Sequence, residues 1–504
     1  MRFLSPLAAA TVALLTTTAV QAETPQAAAE RLNAFLDGFD GIEPGYAVVV
    51  VSADEVLMNR ADGMRRASTG APMTPDTPQY IASQTKSLVG LMAARLDAEG
   101  ILPLDTPISD YWPGLDMDGD FDPSAWTLRQ LLSHQVPLSS PLVTTILASS
   151  QPIAVADMPV MLERHGEVRR PGFEYDNLGY NIYAAILEAH TGRPWQDWLL
   201  ETVFDPLGLD NTSARTSDLP ADELPWRHTW AGDGWHEMPP KPDGTMQSAG
   251  GVYMSSSDTG RLLQTVLRGE GPAGSGITAS IIDAGVMTSY VETGMNDGNN
   301  PMGMPCPGYS LGWSVCDLNG EALYFHSGFY AGVRSMMAFM PSRGAGIAAY
   351  SNSDDMTGFL TTATVRLYFQ YLTDDPEAGA NTAYVSGQYA SQVARNREEL
   401  PRQYASLREH ERWQGWQWQP SRDELAAYTG AWRLGPYLDV EIRLEDSGLI
   451  AYWGAYTMML EPAAPDLFGG QETPMNRISV FQFERDEQGE LVGLQWGSDY
   501  YTRD

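Results

Sequence analysis

The spacing of hydrophobic and polar residues predicts a mixed α/β domain in the first three quarters of the chain. Residues 27–39 have a helical pattern, and the continuous apolar run at residues 45–52 is typical of a buried strand. A second short strand and a loop lead to a helical pattern that begins near Ser83 and ends at Gly100. We expect the strands to form a sheet and this amphipathic helix to pack on it.

Helical patterns dominate the middle of this domain, and strand patterns return near its end. A long helical region lies between about residues 155 and 215, and another helix opens after residue 249 with Ser257 or Asp258 as its cap. The last predicted elements of the domain are strands at residues 309–315, 323–326, 334–340 and 346–352 and a helix at residues 356–371.

The composition changes after residue 372. Residues 374–381 have the proline, glycine and acidic residues of a linker, and a charged helix follows to about Trp413. From Leu425 onward, apolar residues alternate with charged ones in short segments. Roughly 80 residues of such strands predict a small separate β-domain, a barrel or half-barrel, with no catalytic residues of its own.

The first 22 residues predict export. They combine one positive charge, an apolar and threonine-rich core and small residues before a cleavage point at Glu23. No stretch of the chain is long and apolar enough to read as a membrane span, and no cysteine follows the signal to carry a lipid. We therefore expect a periplasmic or extracellular protein without a membrane anchor, in which Cys306 and Cys316 pair as a disulfide.

Charge and composition exclude several partners and kinds of site. The chain has 31 basic and 64 acidic residues, so its net charge is −33, and neither nucleic acid nor an anionic membrane is expected as a partner. No cluster of cysteine and histidine has the spacing of metal ligands, so we expect no metal and no cofactor. The sequence does not determine the oligomeric state.

The use of lysine points to a candidate nucleophile. Only two of the 31 basic residues are lysines, Lys86 and Lys241, and Lys86 follows Ser83 by three residues on one face of the predicted helix. Arginine keeps its proton in a protein, whereas a desolvated lysine can become a neutral base for a serine hydroxyl near pH 7. Ser83 in the first helical turn also has a free backbone N–H for an oxyanion. A helix cap followed by a solvated lysine has the same spacing, so the pattern alone leaves both interpretations open.

A second motif lies in a loop that enters a helix. Tyr175 and Asn177 are two residues apart, so both side chains can face one cleft, where the amide of Asn177 can bind both a lysine and a substrate carbonyl. A buried tyrosine in a loop of this kind is also common. The motif therefore gains weight only in combination with the others.

A third motif surrounds His326. It is followed by Ser327 and Gly328, where the glycine suggests that another backbone comes close, and the N–H of Phe329 can complete an oxyanion hole with that of Ser83. The other histidines lie in polar or helical contexts that favour structural or solvated roles: His134, His165, His190, His228, His236 and His410.

Three motifs occur in an order that resembles that of the serine β-lactamase and penicillin-binding-protein superfamily: Ser83-x-x-Lys86, Tyr175-x-Asn177 and His326-x-Gly328. More narrowly, the chain is similar to the class C β-lactamase-related hydrolases, the S12 peptidase family, over about residues 27–372. Further runs similar to those of the family occur at residues 131–134, 206–212, 250–251, 309–313 and 350–352.

The resemblance implies a transpeptidase-like α/β (α+β) fold, in which an antiparallel sheet has helices on both faces and an all-helical subdomain beside it. It also implies that the C-terminal β-domain is lipocalin-like. In related aminopeptidases such a domain lends a loop to the substrate cleft, and residues 465–476 are the candidate here, although a solvated hairpin connection has the same composition. The expected organisation is a signal peptide at residues 1–22, a serine hydrolase domain at 23–372, a linker and helix at 373–423 and the β-domain at 424–504.

The resemblance also implies residue roles. Ser83 is the expected nucleophile, Lys86 is its base or proton shuttle together with Tyr175, and Asn177 orients both. The backbone N–H groups of Ser83 and Phe329 are expected to form the oxyanion hole. The residues expected to contact the substrate are Asn177, His326, Ser327 and Gly328.

Two departures from the family pattern bear on function. The third motif is His-Ser-Gly instead of Lys-Thr-Gly, whose lysine supplies a fixed positive charge for a substrate carboxylate, whereas His326 is charged only part of the time near neutrality. Members with His-x-Gly resemble D-stereospecific aminopeptidases, amidases and esterases. The second departure is at residues 135–137, where the family more often has Thr-Ser-Gly.

We therefore expect an exported serine hydrolase that cleaves an amide or ester bond through an acyl-enzyme at Ser83. A peptidase or amidase that acts on small peptides, some with D-residues, is the leading interpretation. A carboxylesterase or a β-lactamase can use the same site. An alternative of another class is a penicillin or peptidoglycan sensor that is acylated without turnover.

Overall fold

The computed structural model describes residues 23–39, 44–117, 121–232, 234–296, 300–353, 358–473 and 477–503. The predicted signal peptide at residues 1–22 lies outside the described residues. A large α/β domain extends to Leu372, and a closed barrel begins at Gly430. In the part of the chain that the structure describes, no helix combines the length and the apolar character needed to cross a bilayer.

The strands of the large domain are β1 (Gly45–Ser52), β2 (Val56–Arg66), β3 (Ala71–Pro72), β4 (Gln79–Tyr80), β5 (Leu138–Ser139), β6 (Glu167–Val168), β7 (Thr212–Ser213), β8 (Arg227–Trp230), β9 (Trp235–Met238), β10 (Tyr253–Met254), β11 (Val291–Met295), β12 (Cys306–Tyr309), β13 (Ser314–Leu318), β14 (Glu321–Tyr330), β15 (Val333–Met340) and β16 (Ala345–Ser351). The strands of the barrel are β17 (Gly430–Arg433), β18 (Val440–Glu445), β19 (Gly448–Trp453), β20 (Tyr456–Ala464), β21 (Leu467–Gln471), β22 (Ser479–Arg485), β23 (Leu491–Trp496) and β24 (Asp499–Arg503).

The α-helices are α1 (Pro25–Leu36), α2 (Thr85–Ala98), α3 (Ile108–Tyr111), α4 (Leu128–Leu132), α5 (Pro141–Thr145), α6 (Met158–His165), α7 (Leu178–Thr191), α8 (Trp195–Leu199), α9 (Asp205–Leu207), α10 (Gln247–Gly250), α11 (Ser256–Arg268), α12 (Ala279–Ile282), α13 (Gly358–Leu372), α14 (Ala378–Arg408) and α15 (Arg422–Ala426). Short 3₁₀ or π turns are Asp37–Phe39, Ala82–Gln84, Pro123–Ala125, Ile146–Ser150, Val155–Asp157, Leu200–Phe204, Thr216–Asp218, Asp283–Met287, Pro341–Arg343 and Glu411–Trp416.

The main sheet is antiparallel, with the strand order β11-β12-β13-β14-β15-β16-β1-β2-β3. The predicted apolar run forms β1 near its centre, and alternate residues of β1 enter two different hydrophobic cores. Val48 and Val50 face α1 and α13, whereas Val49 and Val51 face the core that contains α2 and α11. The run is apolar at every position because helices cover both faces of the sheet.

The predicted fold class is confirmed, namely an antiparallel sheet with helices on both faces, helices grouped beside it and a separate C-terminal barrel. One detail of α2 is different, because the helix is buried on nearly all sides and is not amphipathic. Another concerns α11, whose cap is Ser255: its hydroxyl accepts the N–H of Asp258 at 3.1 Å.

The single strand predicted at residues 309–315 is wrong. This segment contains the turn between β12 and β13, in which Gly312 has a φ of 109° that favours glycine. The apolar residues on both sides of the turn have strand spacing, so the pattern did not reveal the reversal. Cys306 on β12 and Cys316 on β13 are joined by a disulfide across this hairpin.

The predicted linker at residues 374–381 is too long, because α14 begins at Ala378. This helix packs back on the large domain, where the ring centroids of Tyr389 and Phe39 are 5.0 Å apart. At its other end it contacts the barrel, since the guanidinium of Arg408 donates to the carboxylate of Glu461 at 2.7 Å. Tertiary contacts at both ends therefore override the helix-breaking composition.

The barrel closes on itself, because β17 pairs with both β18 and β24. It also contacts the large domain, where the N–H of Ala455 donates to the carbonyl of Ser150 at 2.7 Å and the hydroxyl of Tyr437 donates to Asp157 at 2.7 Å. These contacts hold the barrel against the helices beside the sheet.

The segment predicted as a substrate loop, residues 465–476, is in part a strand. Five of its residues form β21, and residues 474–476 lie outside the described residues. The glycines that suggested a loop allow close packing, since a Cβ on Gly470 would lie 2.5 Å from the ring of Phe481.

Candidate active site

Ser83 lies in a tight turn that is held against the edge of the main sheet. Ala82, just before it, has a φ of 46°, a left-handed conformation that costs a residue with a side chain on the order of 1 kcal/mol. The carbonyl of Ile81 accepts the hydroxyl of Ser335 at 2.8 Å, and a Cβ on Gly328 would lie 2.2 Å from the same oxygen. Gly328 therefore permits the close backbone approach that the sequence predicts.

Lys86 is fully buried one helical turn after Ser83, and its amine contacts three oxygen atoms. The Nζ atom lies 2.7 Å from Asn177 Oδ1, 2.7 Å from the carbonyl of Ala249 and 3.3 Å from Ser83 Oγ. The first two oxygens only accept hydrogen bonds. A neutral lysine satisfies both with its two N–H groups, and its lone pair is then left for the hydroxyl proton of Ser83.

The surroundings of Lys86 favour this neutral form. Burial lowers its pKa to about 7, and the nearby carboxylate of Asp176 opposes the shift. Lys86 is therefore a desolvated amine whose proton is more easily lost than that of a solvated lysine.

Tyr175 and Asn177 lie in the loop just before α7, and Asn177 is the N-cap of that helix. The Tyr175 side chain faces Ser83 in the cleft, and Lys86 Nζ lies 4.9 Å from the centre of its ring. Burial of the hydroxyl raises the pKa of Tyr175 above its usual range, although its interaction with the Ser83 side chain opposes this. Tyr175 therefore keeps its proton near neutrality and is suited to donate it.

His326 lies in the same cleft as a neutral side chain. Its Nδ1 atom is 2.7 Å from the carbonyl of Ser327, which can only accept, so the proton is on Nδ1 and Nε2 can accept from the Tyr309 hydroxyl at 3.3 Å. Burial and the nearby Lys86 lower the pKa of His326 to about 3. The expectation of a partly charged His326 near neutrality is therefore wrong, because the ring is desolvated.

These side chains open onto a cleft of about 380 Å³. Its described lining is aromatic, thioether, hydroxyl and amide in character, with no ionised side chain among the residues that form it: Ser83, Phe173, Tyr175, Asn177, Met246, Met295, Asn300, Pro301, Tyr309, Ser314, Phe325, His326, Ser327 and Phe329. Phe329 is 56% exposed at the mouth of the cleft, and the guanidinium of Arg334 lies 3.7 Å from the centre of its ring.

The two backbone N–H groups predicted for an oxyanion hole line this cleft from opposite elements. The pairing of β14 with β13 ends at Phe325, and Phe329 lies four residues further along β14. Among the described residues, residues 326–330 therefore have no strand partner on the side of β13, while their other edge pairs with β15. Ser83 lies at the start of the helical segment across from it.

Several residues of the site were missed by the sequence reasoning. The carbonyl of Ala249 binds Lys86, Met246 forms part of the cleft wall, and His134 packs against Tyr175 with ring centroids 4.6 Å apart. The only sequence signal near the first of these is Gly250, which lets α10 lie close to Ala82. Across the described ranges, no group of three or more His, Cys, Asp or Glu side chains is arranged to hold a metal ion.

Comparison with known proteins gives one family and several structural neighbours. Residues 28–371 match the beta-lactamase family. Protein flp of Staphylococcus aureus (strain NCTC 8325 / PS 47) is 23% identical over 317 residues, which are 61% of this chain and 59% of that protein. The chain therefore spans less than two thirds of the length of this relative.

Two solved structures extend the comparison. The octameric penicillin-binding protein homologue from Pyrococcus abyssi has a TM-score of 0.58 at 17% identity, with 94% of this chain and 100% of that chain covered. D-amino acid amidase from Ochrobactrum anthropi SV3, complexed with L-phenylalanine amide, has a TM-score of 0.56 at 22% identity, with 70% and 99% covered. At these identities the likeness shows the fold. The resemblance to the serine β-lactamase and penicillin-binding-protein superfamily is confirmed.

Proposed function

This chain belongs to the beta-lactamase family, and from that premise we propose that it cleaves amide or ester bonds through a covalent acyl-enzyme at Ser83. The observation that carries the proposal is the arrangement around Lys86. A buried amine lies 3.3 Å from Ser83 Oγ, and it donates hydrogen bonds to two acceptor oxygens, Asn177 Oδ1 and the carbonyl of Ala249. Such an amine is placed to remove the serine proton.

The proposed reaction begins when Ser83 Oγ bonds to the carbonyl carbon of the substrate and its proton passes to Lys86. The N–H groups of Ser83 and Phe329 stabilise the negative oxygen of the tetrahedral intermediate. The C–N or C–O bond then breaks, and the leaving group takes a proton from Tyr175, which regains one from Lys86. Water next attacks the acyl carbon, gives a proton to the same pair of side chains and restores the Ser83 hydroxyl.

The properties of the cleft support an uncharged acyl group as substrate. A penicillin or a peptide C-terminus has a carboxylate that requires a cation, whereas His326 is neutral and no ionised side chain is present in the described lining. Aromatic and methionine side chains instead offer apolar surface. We therefore favour an amidase, or a peptidase on small peptides whose C-terminal end is uncharged, including D-residues, over a β-lactamase.

A carboxylesterase is the second candidate. The described lining contains no carboxylate for the ammonium group of a free peptide N-terminus, and an ester of an uncharged acid needs none. The chemistry at Ser83 is the same for both substrates. Only the leaving group differs, because an alcohol departs more readily than an amine.

A substrate panel tests this proposal. The purified protein is assayed with D- and L-phenylalanine amide, the corresponding methyl esters, their N-acetyl derivatives and benzylpenicillin. We expect kcat/KM for the best amide or ester to exceed that for benzylpenicillin by about 10-fold or more. The reason is that burial of an unpaired carboxylate weakens binding by at least about 10-fold. A preference for benzylpenicillin would contradict the assignment. Rapid acylation by benzylpenicillin without turnover would instead support a sensor.

We also propose that the protein is exported. The disulfide between Cys306 and Cys316 and the signal-like pattern of residues 1–22 support this. The mature protein, isolated from a periplasmic or culture fraction, is expected to begin at Glu23 on N-terminal sequencing. An Ala22→Tyr variant, with a large residue before the cleavage point, should keep its leader. Recovery of a chain that begins at Met1 with two reactive thiols would contradict export.

A further inference from the structure

His134 accepts hydrogen bonds from the peptide groups on both sides of Tyr175. The N–H of Glu174 donates to the carbonyl of His134 at 3.0 Å, and the N–H of Asp176 donates to its Nδ1 atom at 3.2 Å. Glu174 and Asp176 are the two chain neighbours of Tyr175. One residue therefore fixes the peptide groups before and after the tyrosine that shares the cleft with Ser83.

The ring of His134 also supports the ring of Tyr175. Tyr175 is 44% exposed, so water contacts one part of its ring, while His134 is 2% exposed and lies on the protein side with ring centroids 4.6 Å apart. The same imidazole packs against Tyr309 at 4.9 Å and Tyr180 at 5.5 Å. An exposed aromatic residue with packing on one face needs such support to keep its hydroxyl at a fixed place.

The hydrogen bonds determine the state of the imidazole. Because Nδ1 accepts the N–H of Asp176, the proton of the neutral ring is on Nε2. Burial, the positive charge of Lys86 and the nearby His326 keep the pKa of His134 well below its usual range. His134 therefore stays neutral, and Nδ1 remains an acceptor at working pH.

Two features suggest that this arrangement was not selected for stability alone. His134 Nε2 is buried without an acceptor among the described residues, and its backbone has a φ of 60°, in the left-handed region. Both features are costly, and such costs occur most often where a site requires a particular geometry. They mark His134 as a residue held in place for something other than packing.

Neighbouring contacts keep the two segments together. The guanidinium of Arg169 donates to the carbonyls of Val136 and Glu174, each at 3.1 Å, and so joins the turn after His134 to the loop of Tyr175. A Cβ on Gly179 would lie 2.6 Å from the carbonyl of Leu131, so glycine allows α7 to come close to α4. These contacts therefore hold the loop of Tyr175 against the segment that contains His134, in addition to the hydrogen bonds that His134 itself accepts.

We propose that His134 is a positioning residue that holds the Tyr175 hydroxyl at Ser83, an inference that rests on the proposed acyl-enzyme function. His134 is not among the described residues that line the cleft, and its carbonyl and Nδ1 bind the peptide groups on either side of Tyr175. Its removal should therefore matter only while Tyr175 has a hydroxyl to position.

A double-mutant cycle tests this dependence. His134→Leu is made in the wild type and in Tyr175→Phe, and each protein is assayed with the phenylalanine p-nitroanilide enantiomer that the wild type cleaves faster. We expect His134→Leu to lower kcat by about 30-fold in the wild type and by less than about 3-fold in Tyr175→Phe, because coupled residues are not additive. An equal loss in both backgrounds would show a general structural role and would overturn the proposal.

A matched variant separates the acceptor from side-chain volume. Asparagine has the shape of leucine, accepts left-handed backbone and carries Oδ1 where Nδ1 lies, so His134→Asn should retain kcat within about 5-fold of the wild type. Loss of activity in His134→Asn equal to that in His134→Leu, with the melting temperature unchanged, would contradict the role of the acceptor. If the leucine protein does not fold, His134→Gly, which also tolerates the backbone, takes its place in the cycle.

Intact mass distinguishes this inference from the function on which it rests. If wild-type Ser83 is acylated and the effects of His134→Leu and Tyr175→Phe on kcat are additive, only the positioning role fails. If Ser83 takes no acyl group, or if Tyr175→Phe has the full wild-type rate, the assigned chemistry fails and the positioning role fails with it.

Discussion

We expect the Ser83→Ala protein to hydrolyse the best amide or ester substrate at least about 10⁴-fold more slowly than the wild type, and to fold normally. Among the described residues, the Ser83 hydroxyl is the one hydroxyl within hydrogen-bond distance of Lys86 Nζ, so its removal takes away the proposed nucleophile. Loss of a nucleophile that acts with its base commonly costs this much or more. The measurement is kcat under saturating substrate, with the melting temperature as the check of folding.

The control for this variant is a second serine on the same helix. Ser87 is buried, and its hydroxyl donates to the carbonyl of Gln84 at 2.7 Å, away from the cleft. Ser87→Ala should keep kcat within about 3-fold of the wild type, since it loses one local hydrogen bond. If Ser83→Ala retained more than about a tenth of the activity, the nucleophile would have to be another group.

Lys86→Arg has the second-largest expected effect, a loss of about 10³-fold in kcat. Arginine keeps the positive charge and can still donate to Asn177 and Ala249, but it cannot give up a proton at any working pH. General base catalysis is worth about 10²–10⁴-fold, and that contribution is lost. Activity that persists in Lys86→Arg at the wild-type rate would refute the role of Lys86 as base.

The other lysine of the chain gives a matched control. Lys241 is also buried, and its Nζ donates to the carbonyl of Pro242 at 3.3 Å, outside the described lining of the cleft. Lys241→Arg should leave kcat within about 3-fold, provided that its melting temperature shows a folded protein. A large loss in both variants would point to a general intolerance of arginine at buried positions.

The pH profile gives a second test of Lys86. Because its pKa is lowered to about 7, the acylation rate should fall about tenfold per unit below that pH and level off above it. Asn177→Asp places a carboxylate 2.7 Å from Nζ, which favours the ammonium and raises the pKa of Lys86. The midpoint should therefore move to higher pH in this variant. A shift to lower pH would contradict the assignment.

The sequence was sufficient to predict the contacts that depend on local spacing. Ser83 and Lys86 are one helical turn apart, so their contact follows from helix geometry once the helix is recognised. Tyr175 and Asn177 enter the site as a pair because one loop carries both. The apolar run that forms β1 likewise predicted a buried strand, because a strand covered on both faces has apolar residues at successive positions.

The features that the sequence did not predict depend mainly on contacts between segments that are far apart in the chain. His134 precedes Tyr175 by 41 positions in the printed sequence, and its context gave no sign that its carbonyl and ring would flank that residue. The neutral state of His326 depends on burial and on Lys86, neither of which can be read from the motif. The hairpin at Gly312 was missed because apolar residues lie on both sides of the turn at strand spacing, so the hydrophobic pattern continues through it.

The most direct test of the proposed acyl-enzyme is the intact mass of the wild type and Ser83→Ala after brief mixing with excess p-nitrophenyl ester. The account predicts one added acyl group on the wild type, located on the peptide that contains Ser83, which disappears within minutes as water completes turnover. Ser83→Ala should gain no mass over the same interval. An equal adduct on both proteins, or none on either, would contradict the assignment of Ser83 as the nucleophile.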